Sequence, residues 1–136
     1  MKTTFIDTVF VVALVNCRDQ CHARAVELAE QYEGQRFVVT DAVLIEIGNA
    51  LARHYKREAA EAIERFLSSD DVEVVRLTAA SFAEAFALYK IHRDKGWGMT
   101  DALSFAAMRR LGITEALTFD EHFVQAGFKA LMRDDE

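Results

Sequence analysis

The sequence predicts a three-layer α/β/α fold with a central, mostly parallel sheet of four to five strands. Short β-prone apolar runs alternate with helical patterns along the chain, which indicates a parallel sheet covered by helices on both faces. Two of these runs are followed by an aspartate, and open α/β sheets bind their ligands at the carboxyl ends of the strands. The 136 residues contain no proline and no low-complexity linker, so residues 1–136 are predicted to form one domain.

The first elements follow from the apolar pattern and from the residues that interrupt it. Residues 2–6 are a β-prone run and predict the first strand. Residues 9–15 fit either a continuation of that strand or a helix, and we favour a helix because Asp7-Thr8 is typical of a turn followed by a cap. Residues 19–33 have the periodicity of an amphipathic helix, and Gly34 marks its end.

The middle of the chain repeats the order of strand and helices. Residues 37–39 predict the second strand, and Thr40 or Asp41 caps a helix that runs to about residue 54. Residues 58–69 predict another helix because their apolar side chains share one face. Residues 72–75 predict the third strand.

The last third of the chain begins with a long helix that is predicted from Thr78 to about Arg93. Its apolar residues recur at helical spacing, and we expect Phe82, Ala85, Phe86 and Tyr89 to face inward. The remaining predicted elements are a helix capped by Thr100 and ending at Gly112, a strand over residues 115–119, a short helix from Asp120 and a last strand near residues 128–130.

Four acidic residues are the candidate functional groups. Asp7 follows the first strand, Asp120 follows the fourth, Asp101 begins a helix, and Glu46 interrupts the apolar run Val43–Ile47. Each alone has another explanation, because aspartates cap helices and a glutamate at the edge of a core can reach solvent or pair with a nearby arginine. If they meet at one sheet edge, they repel each other and need a cation.

A site made of carboxylates predicts Mg²⁺ or Mn²⁺, because both ions prefer oxygen ligands. The chemistry that fits such a site is hydrolysis of phosphodiester bonds. No arrangement of Ser/His/Asp or Cys/His indicates a covalent nucleophile, and the four histidines lack the spacing of a zinc site.

Four motifs resemble the PIN domain family, and in particular the toxin nucleases of VapBC-type toxin–antitoxin systems. They are Phe5-Ile6-Asp7-Thr8, Leu44-Ile45-Glu46-Ile47, Met99-Thr100-Asp101-Ala102-Leu103-Ser104 and Leu117-Thr118-Phe119-Asp120-Glu121-His122-Phe123. In order and spacing, the resemblance covers essentially the whole chain. One departure is Val9, where a serine often follows the Asp-Thr pair.

The resemblance implies a Mg²⁺- or Mn²⁺-dependent endoribonuclease. Asp7, Glu46, Asp101 and Asp120 match the acidic metal site of the family, with Thr8 and Thr118 as supporting neighbours. The family also implies a homodimer and an antitoxin segment that covers the active-site groove. The alternative is a PIN-fold module that binds RNA or protein without cleaving it.

Two basic segments are candidates for binding RNA phosphates and bases. Their residues are Arg53, Lys56, Arg57, Arg93, Lys95 and Trp97. An alternative left open is that these cations complement the C-terminal ends of helices.

The composition and the apolar pattern also predict the cellular compartment of the protein. The longest apolar run, residues 9–15, is too short to cross a bilayer, and the N-terminus has no signal-peptide cleavage pattern. Cys17 and Cys21 are one helical turn apart, which favours reduced thiols in a cytoplasmic protein. A net charge of −6 excludes a non-specific nucleic-acid coat but not a nuclease.

Overall fold

Five parallel strands form the centre of the computed structural model, which describes residues 2–133. Their order across the sheet is β3-β2-β1-β4-β5, and β1 lies in the middle between β2 and β4. The strands are β1 Thr3–Ile6, β2 Arg36–Thr40, β3 Val72–Val75, β4 Glu115–Leu117 and β5 Lys129–Ala130. The predicted fold class, with a parallel sheet of four to five strands, is confirmed.

The helices connect these strands in crossovers. They are α1 Thr8–Val15, α2 His22–Gln31, α3 Asp41–Ala50, α4 Lys56–Ser68, α5 Ala79–Ile91, α6 Met99–Leu111 and α7 Glu121–Gln125. Since crossovers between parallel strands are right-handed, α1–α4 cover one face of the sheet and α5–α7 cover the other. No helix within residues 2–133 is long and apolar enough to span a membrane.

Most predicted elements are present, with differences at their ends. Residues 8–15 are helical, as favoured. The second helix begins at His22 rather than at Asp19, because the Asp19 carboxylate accepts a hydrogen bond from the Cys21 amide and holds a turn there. The third helix ends at Ala50, four residues earlier than predicted. Gly98 rather than Thr100 precedes the first turn of α6.

The prediction for the inward face of α5 was right for Ala85 and wrong for the three aromatic residues. Ala85 is completely buried, whereas Phe82, Phe86 and Tyr89 are 49%, 42% and 42% exposed. Ala85 allows α5 to pack closely on α6, its main neighbour. The aromatic stripe of Phe82, Phe86 and Tyr89 has ring centroids 6.3 and 6.4 Å apart, with the first pair tilted and the second pair stacked.

Three aromatic rings connect the sheet to the two helices that carry Asp101 and Asp120. Phe5 in β1, Phe105 in α6 and Phe123 in α7 are all completely buried. The Phe123 centroid lies 6.2 Å from that of Phe5 and 4.9 Å from that of Phe105, with the second pair edge to face. This packing holds the starts of α6 and α7 close to the carboxyl end of β1.

Candidate active site

Asp7 lies immediately after β1 and is one of the few buried charged residues, with 6% of its surface exposed. Its amide donates to the Leu117 carbonyl at 3.2 Å, which continues the ladder between β1 and β4 by one residue. Its Oδ2 accepts a hydrogen bond of 2.8 Å from the Thr118 hydroxyl. The pairing of two central strands therefore determines where this carboxylate lies.

Asp120 is held at the same sheet edge by the residues that end β4. The Asp120 amide donates to the Thr118 hydroxyl oxygen at 3.0 Å, so Thr118 contacts both aspartates. The Asp120 Oδ1 accepts from the His122 amide at 2.9 Å and caps α7. Asp120 can therefore cap α7 through Oδ1 and still bind a ligand through Oδ2, which makes no hydrogen bond to residues 2–133.

Asp101 lies in the first turn of α6. Its Oδ2 accepts a hydrogen bond of 3.0 Å from the Gly98 amide, which fixes the side chain against the loop before the helix. The buried Ala102 and Ser104 keep this helix close to its neighbours. Oxygen atoms of Asp101 and Asp120 and a nitrogen of His122 all lie within 4.8 Å of one another.

His122 is the site residue that the sequence analysis missed. Its Nδ1 lies 3.0 Å from Asp101 Oδ2 and 3.5 Å from Asp120 Oδ1. On its other side, Nε2 is 3.6 Å from the point where a Cβ on Gly96 would stand. Its position two residues after a strand-end aspartate could have indicated this role. The spacing of the four histidines, which was considered only for zinc, could not.

Glu46 lies apart from the cluster of Asp101, Asp120 and His122. It is exposed on α3, and its Oε1 accepts a hydrogen bond of 2.8 Å from the Thr8 hydroxyl. Thr8 follows Asp7 directly, so this bond connects the glutamate to the acidic edge through one residue. The suggested pairing of Glu46 with an arginine is not seen within residues 2–133.

Burial makes the carboxyl groups of Asp7 and Asp101 difficult to ionise. Desolvation raises the pKa of Asp7 from 3.8 to about 7, and the charges of Asp101 and Asp120 add to this effect, whereas the Thr118 hydrogen bond opposes it. Desolvation also raises the pKa of Asp101, although the Gly98 amide and His122 lower it. No lysine or arginine within residues 2–133 forms an ion pair with Asp7, Asp101 or Asp120. A divalent cation fits this set of oxygen donors.

The predicted RNA-binding residues fall into two groups. Arg53, Lys56 and Arg57 are exposed around the end of α3 and the start of α4, and Arg57 pairs with Glu58. Arg93 and Lys95 lie in the loop that leads directly to α6 and line an open concavity there.

Trp97 does not have the exposure that base stacking needs. It is 6% exposed, and its ring packs between His92 and Phe105, with centroids 4.6 and 4.9 Å away. Its Nε1 donates a hydrogen bond of 3.0 Å to Gln125. This burial argues against the predicted stacking role and makes Trp97 an anchor for the loop that holds Asp101.

Comparisons with known proteins agree with this arrangement. The 23S rRNA-specific endonuclease VapC20 of Mycobacterium tuberculosis is 34% identical over 124 residues, which span 91% of this chain and 94% of VapC20. The crystal structure of that protein, a Sarcin-Ricin loop cleaving toxin, superposes with a TM-score of 0.82 at 32% identity and covers 92% of this chain and 95% of that one.

A more distant structure shares the fold alone. VapBC2 from Rickettsia felis, bound to a DNA fragment from its promoter, superposes with a TM-score of 0.63 at 17% identity, covering 94% of this chain and 96% of that chain. The family model of the PIN domain matches residues 4–129, a range that includes Asp7, Glu46, Asp101 and Asp120. The chain belongs to the PIN domain family.

Proposed function

We propose that this protein is a metal-dependent endoribonuclease that hydrolyses phosphodiester bonds in RNA. The observation that carries the proposal is the cluster of Asp101, Asp120 and His122 beside the buried Asp7, whose pKa the two neighbouring aspartates help to raise. None of the three aspartates has a lysine or arginine partner within residues 2–133. Carboxylates so placed are costly unless a cation balances them. The endonuclease activity of the similar VapC20 supports the same conclusion.

Each acid has a distinct part in the proposed site. Asp7, Asp101 and Asp120 would hold Mg²⁺ or Mn²⁺, with Thr118 orienting two of them through its hydroxyl group. Glu46, held by Thr8, would complete the set at the outer rim. When bound, the cation supplies Lewis-acid stabilisation of the phosphate and lowers the pKa of an attacking water.

The substrate class follows from the positive residues around the acids and from the relative. Arg93 and Lys95 lie in the loop before Asp101, where they can attract a phosphate backbone, and Arg53, Lys56 and Arg57 extend the positive charge along α3 and α4. VapC20 acts on 23S rRNA, and this similarity makes the sarcin–ricin loop the first RNA to test.

The proposed partners are an antitoxin and a second copy of this chain. The similarity to VapC-type toxins supports a toxin that an antitoxin blocks at the active-site groove. The exposed stripe of Phe82, Phe86 and Tyr89 on α5 supports a homodimer, since a stacked aromatic face on a soluble domain is typical of an interface. The two free thiols, Cys17 and Cys21, fit a reducing cytoplasm.

The alternative function is a PIN-fold module that binds without cleaving. Both functions allow RNA binding, but only the nuclease requires a divalent cation for turnover. The intact Asp7, Asp101 and Asp120 favour the nuclease, because a binding module gains nothing from carboxylates that repel one another.

The test is cleavage of total cellular RNA by the purified protein in Mn²⁺, followed by mapping of the new 5′ ends. We expect discrete cuts with 5′-phosphates that disappear in EDTA and in Asp101→Asn. Asp70→Asn is the matched control, since Asp70 is an exposed aspartate outside the site and its variant should cut normally. Cleavage that persists in both EDTA and Asp101→Asn would overturn the metal site.

A further inference from the structure

A groove along the free edge of the sheet concentrates positive charge that the acidic site does not use. It lies beside the edge strand β5 and is lined by Arg24 of α2, by Lys129 and Arg133, and by the side chains of Tyr32 and Phe128. No aspartate or glutamate lines this groove in the described part of the chain, although the protein carries a net charge of −6. A basic groove on an acidic protein is complementary to a polyanion.

Each of the two arginines of the groove donates a hydrogen bond to a main-chain carbonyl oxygen. Arg24 Nη2 donates to the Leu131 carbonyl at 3.1 Å, and Arg133 Nη1 donates to the Phe119 carbonyl at 3.0 Å. A carbonyl orients a guanidinium without cancelling its charge, and the other N–H groups remain available for a phosphate. Glu27 offsets part of the Arg24 charge through Nη1, but this ion pair is open to solvent.

Arg24 also has an unused donor. Its Nε is buried and has no acceptor within residues 2–133. A buried donor without a partner is costly, so the side chain of Arg24 is incompletely satisfied by the residues around it.

The groove leads toward the acidic cluster. The Lys129 amide donates to the Thr114 carbonyl, and the Met132 amide donates to the Thr118 carbonyl, so this segment runs beside β4 from its beginning to the turn that carries Asp120. Arg133 ends the path, because the carbonyl that it contacts belongs to Phe119, the residue before Asp120. A chain of phosphates in the groove would therefore continue into the proposed site.

We infer that this groove binds the sugar–phosphate backbone of the RNA on the β5 side of the scissile bond. The inference rests on the proposed function only in taking RNA as the substrate. Arg24 and Arg133 contact phosphates through their guanidinium groups, and Lys129 contributes an exposed charge at the far end. The loop with Arg93 and Lys95 contacts the RNA elsewhere, since it precedes α6 and does not line this groove.

The experiment measures RNA binding apart from cleavage. Lys129→Glu and Arg133→Gln are each placed in the Asp101→Asn protein, and affinity for a fluorescein-labelled single-stranded RNA of mixed sequence is followed by fluorescence anisotropy at fixed Mn²⁺ and increasing potassium chloride. Arg36→Glu is the matched control, because Arg36 is an exposed residue at the start of β2, with β1 and β4 between it and β5. Lys129→Gln serves as a second variant in case the glutamate disturbs the strand.

We expect each groove variant to bind roughly threefold to tenfold more weakly and to reduce the slope of log affinity against log salt by about 0.7 for each lost phosphate contact. Arg36→Glu should change neither quantity. Equal effects of groove and control variants, or unchanged binding in all groove variants that remain folded by circular dichroism, would overturn the inference. Cleavage by the unmodified protein is measured separately, so groove-dependent binding without cleavage would count against the nuclease and leave the groove intact.

Discussion

At the scale of single residues, His122 contacts two of the candidate metal ligands. Its imidazole contacts Asp101 at 3.0 Å and lies 3.5 Å from Asp120, and its own main chain is bound by Asp120. A side chain in this position would orient both carboxylates toward a cation bound between them. Partners that orient metal ligands typically contribute a large part of the metal affinity.

We therefore expect His122→Ala to weaken Mn²⁺ binding by about tenfold to a hundredfold. Isothermal titration calorimetry measures this directly, without depending on cleavage. His122→Gln should lose less affinity, since an amide can still donate to Asp101. His54→Ala is the control, because His54 is exposed in the turn after α3. Unchanged Mn²⁺ affinity in His122→Ala would show that the imidazole does not support the site.

The acids themselves were predictable from the sequence, but their exact grouping was not. Asp7 and Asp120 follow strands, and strand ends meet at one edge in a parallel sheet, so their proximity follows from the fold class. The place of Glu46 depends on the rotation of α3 about its axis and on the hydrogen bond to Thr8, which no local pattern specifies. Neighbours such as His122 depend likewise on how α7 packs.

At the scale of elements, the loop between α5 and α6 depends on one buried ring. Trp97 packs on Phe105 and donates to Gln125, and thereby holds the loop whose Gly98 amide binds Asp101. The sequence suggested a base-stacking role because Trp97 follows several cations and directly precedes the helix of Asp101. The contacts of its ring with α6 and α7 argue against that role.

We expect Trp97→Ala to lower the free energy of unfolding by about 3–5 kcal/mol, the usual cost of removing a buried aromatic ring. Chemical denaturation measures this loss. Trp97→Phe is the matched variant, since it keeps a ring but loses the hydrogen bond to Gln125, and it should cost less. A Trp97→Ala protein of normal stability that binds RNA much more weakly would restore the stacking role.

The outer face of α5 shows a second limit of pattern-based prediction. Apolar residues at helical spacing predict a buried stripe, but the pattern cannot distinguish burial in a core from burial in an interface. In this chain the small Ala85 faces α6, and the larger Phe82 and Phe86 lie outside the contact. A second copy that covers the stripe would explain why these apolar residues recur at helical spacing on an exposed face.

A double variant tests this interpretation of α5. We expect Phe82→Glu/Phe86→Glu to weaken a homodimer by at least about thirtyfold, because two charges would replace central aromatic contacts. Sedimentation equilibrium of the native protein and the double variant measures the change in dimer affinity. Circular dichroism checks that the double variant retains the fold. Leu67→Glu is the control, since Leu67 is a similarly exposed apolar residue on α4. A dimer that persists in the double variant would place the interface elsewhere.

At the scale of the whole molecule, Asp7 and Asp101 make the stability of the fold depend on pH. Burial raises the pKa of Asp7 from 3.8 to about 7, and it raises the pKa of Asp101 in the same direction. The folded state therefore binds more protons than the unfolded state between these values. The stability that this difference contributes is complete below pH 3.8 and is lost as the pH rises through 7.

The last prediction compares the native protein with Asp7→Asn in EDTA between about pH 4 and pH 8. The native protein should lose up to about 4 kcal/mol more than the variant over this range, because only it must ionise a buried carboxyl group. Mn²⁺ should reverse the loss, and its stabilising effect should grow with pH because the cation competes with protons for the same oxygens. Asp70→Asn should follow the native protein throughout. Parallel curves for the native protein and Asp7→Asn would mean that Asp7 ionises normally and that this edge of the sheet does not require a cation to balance it.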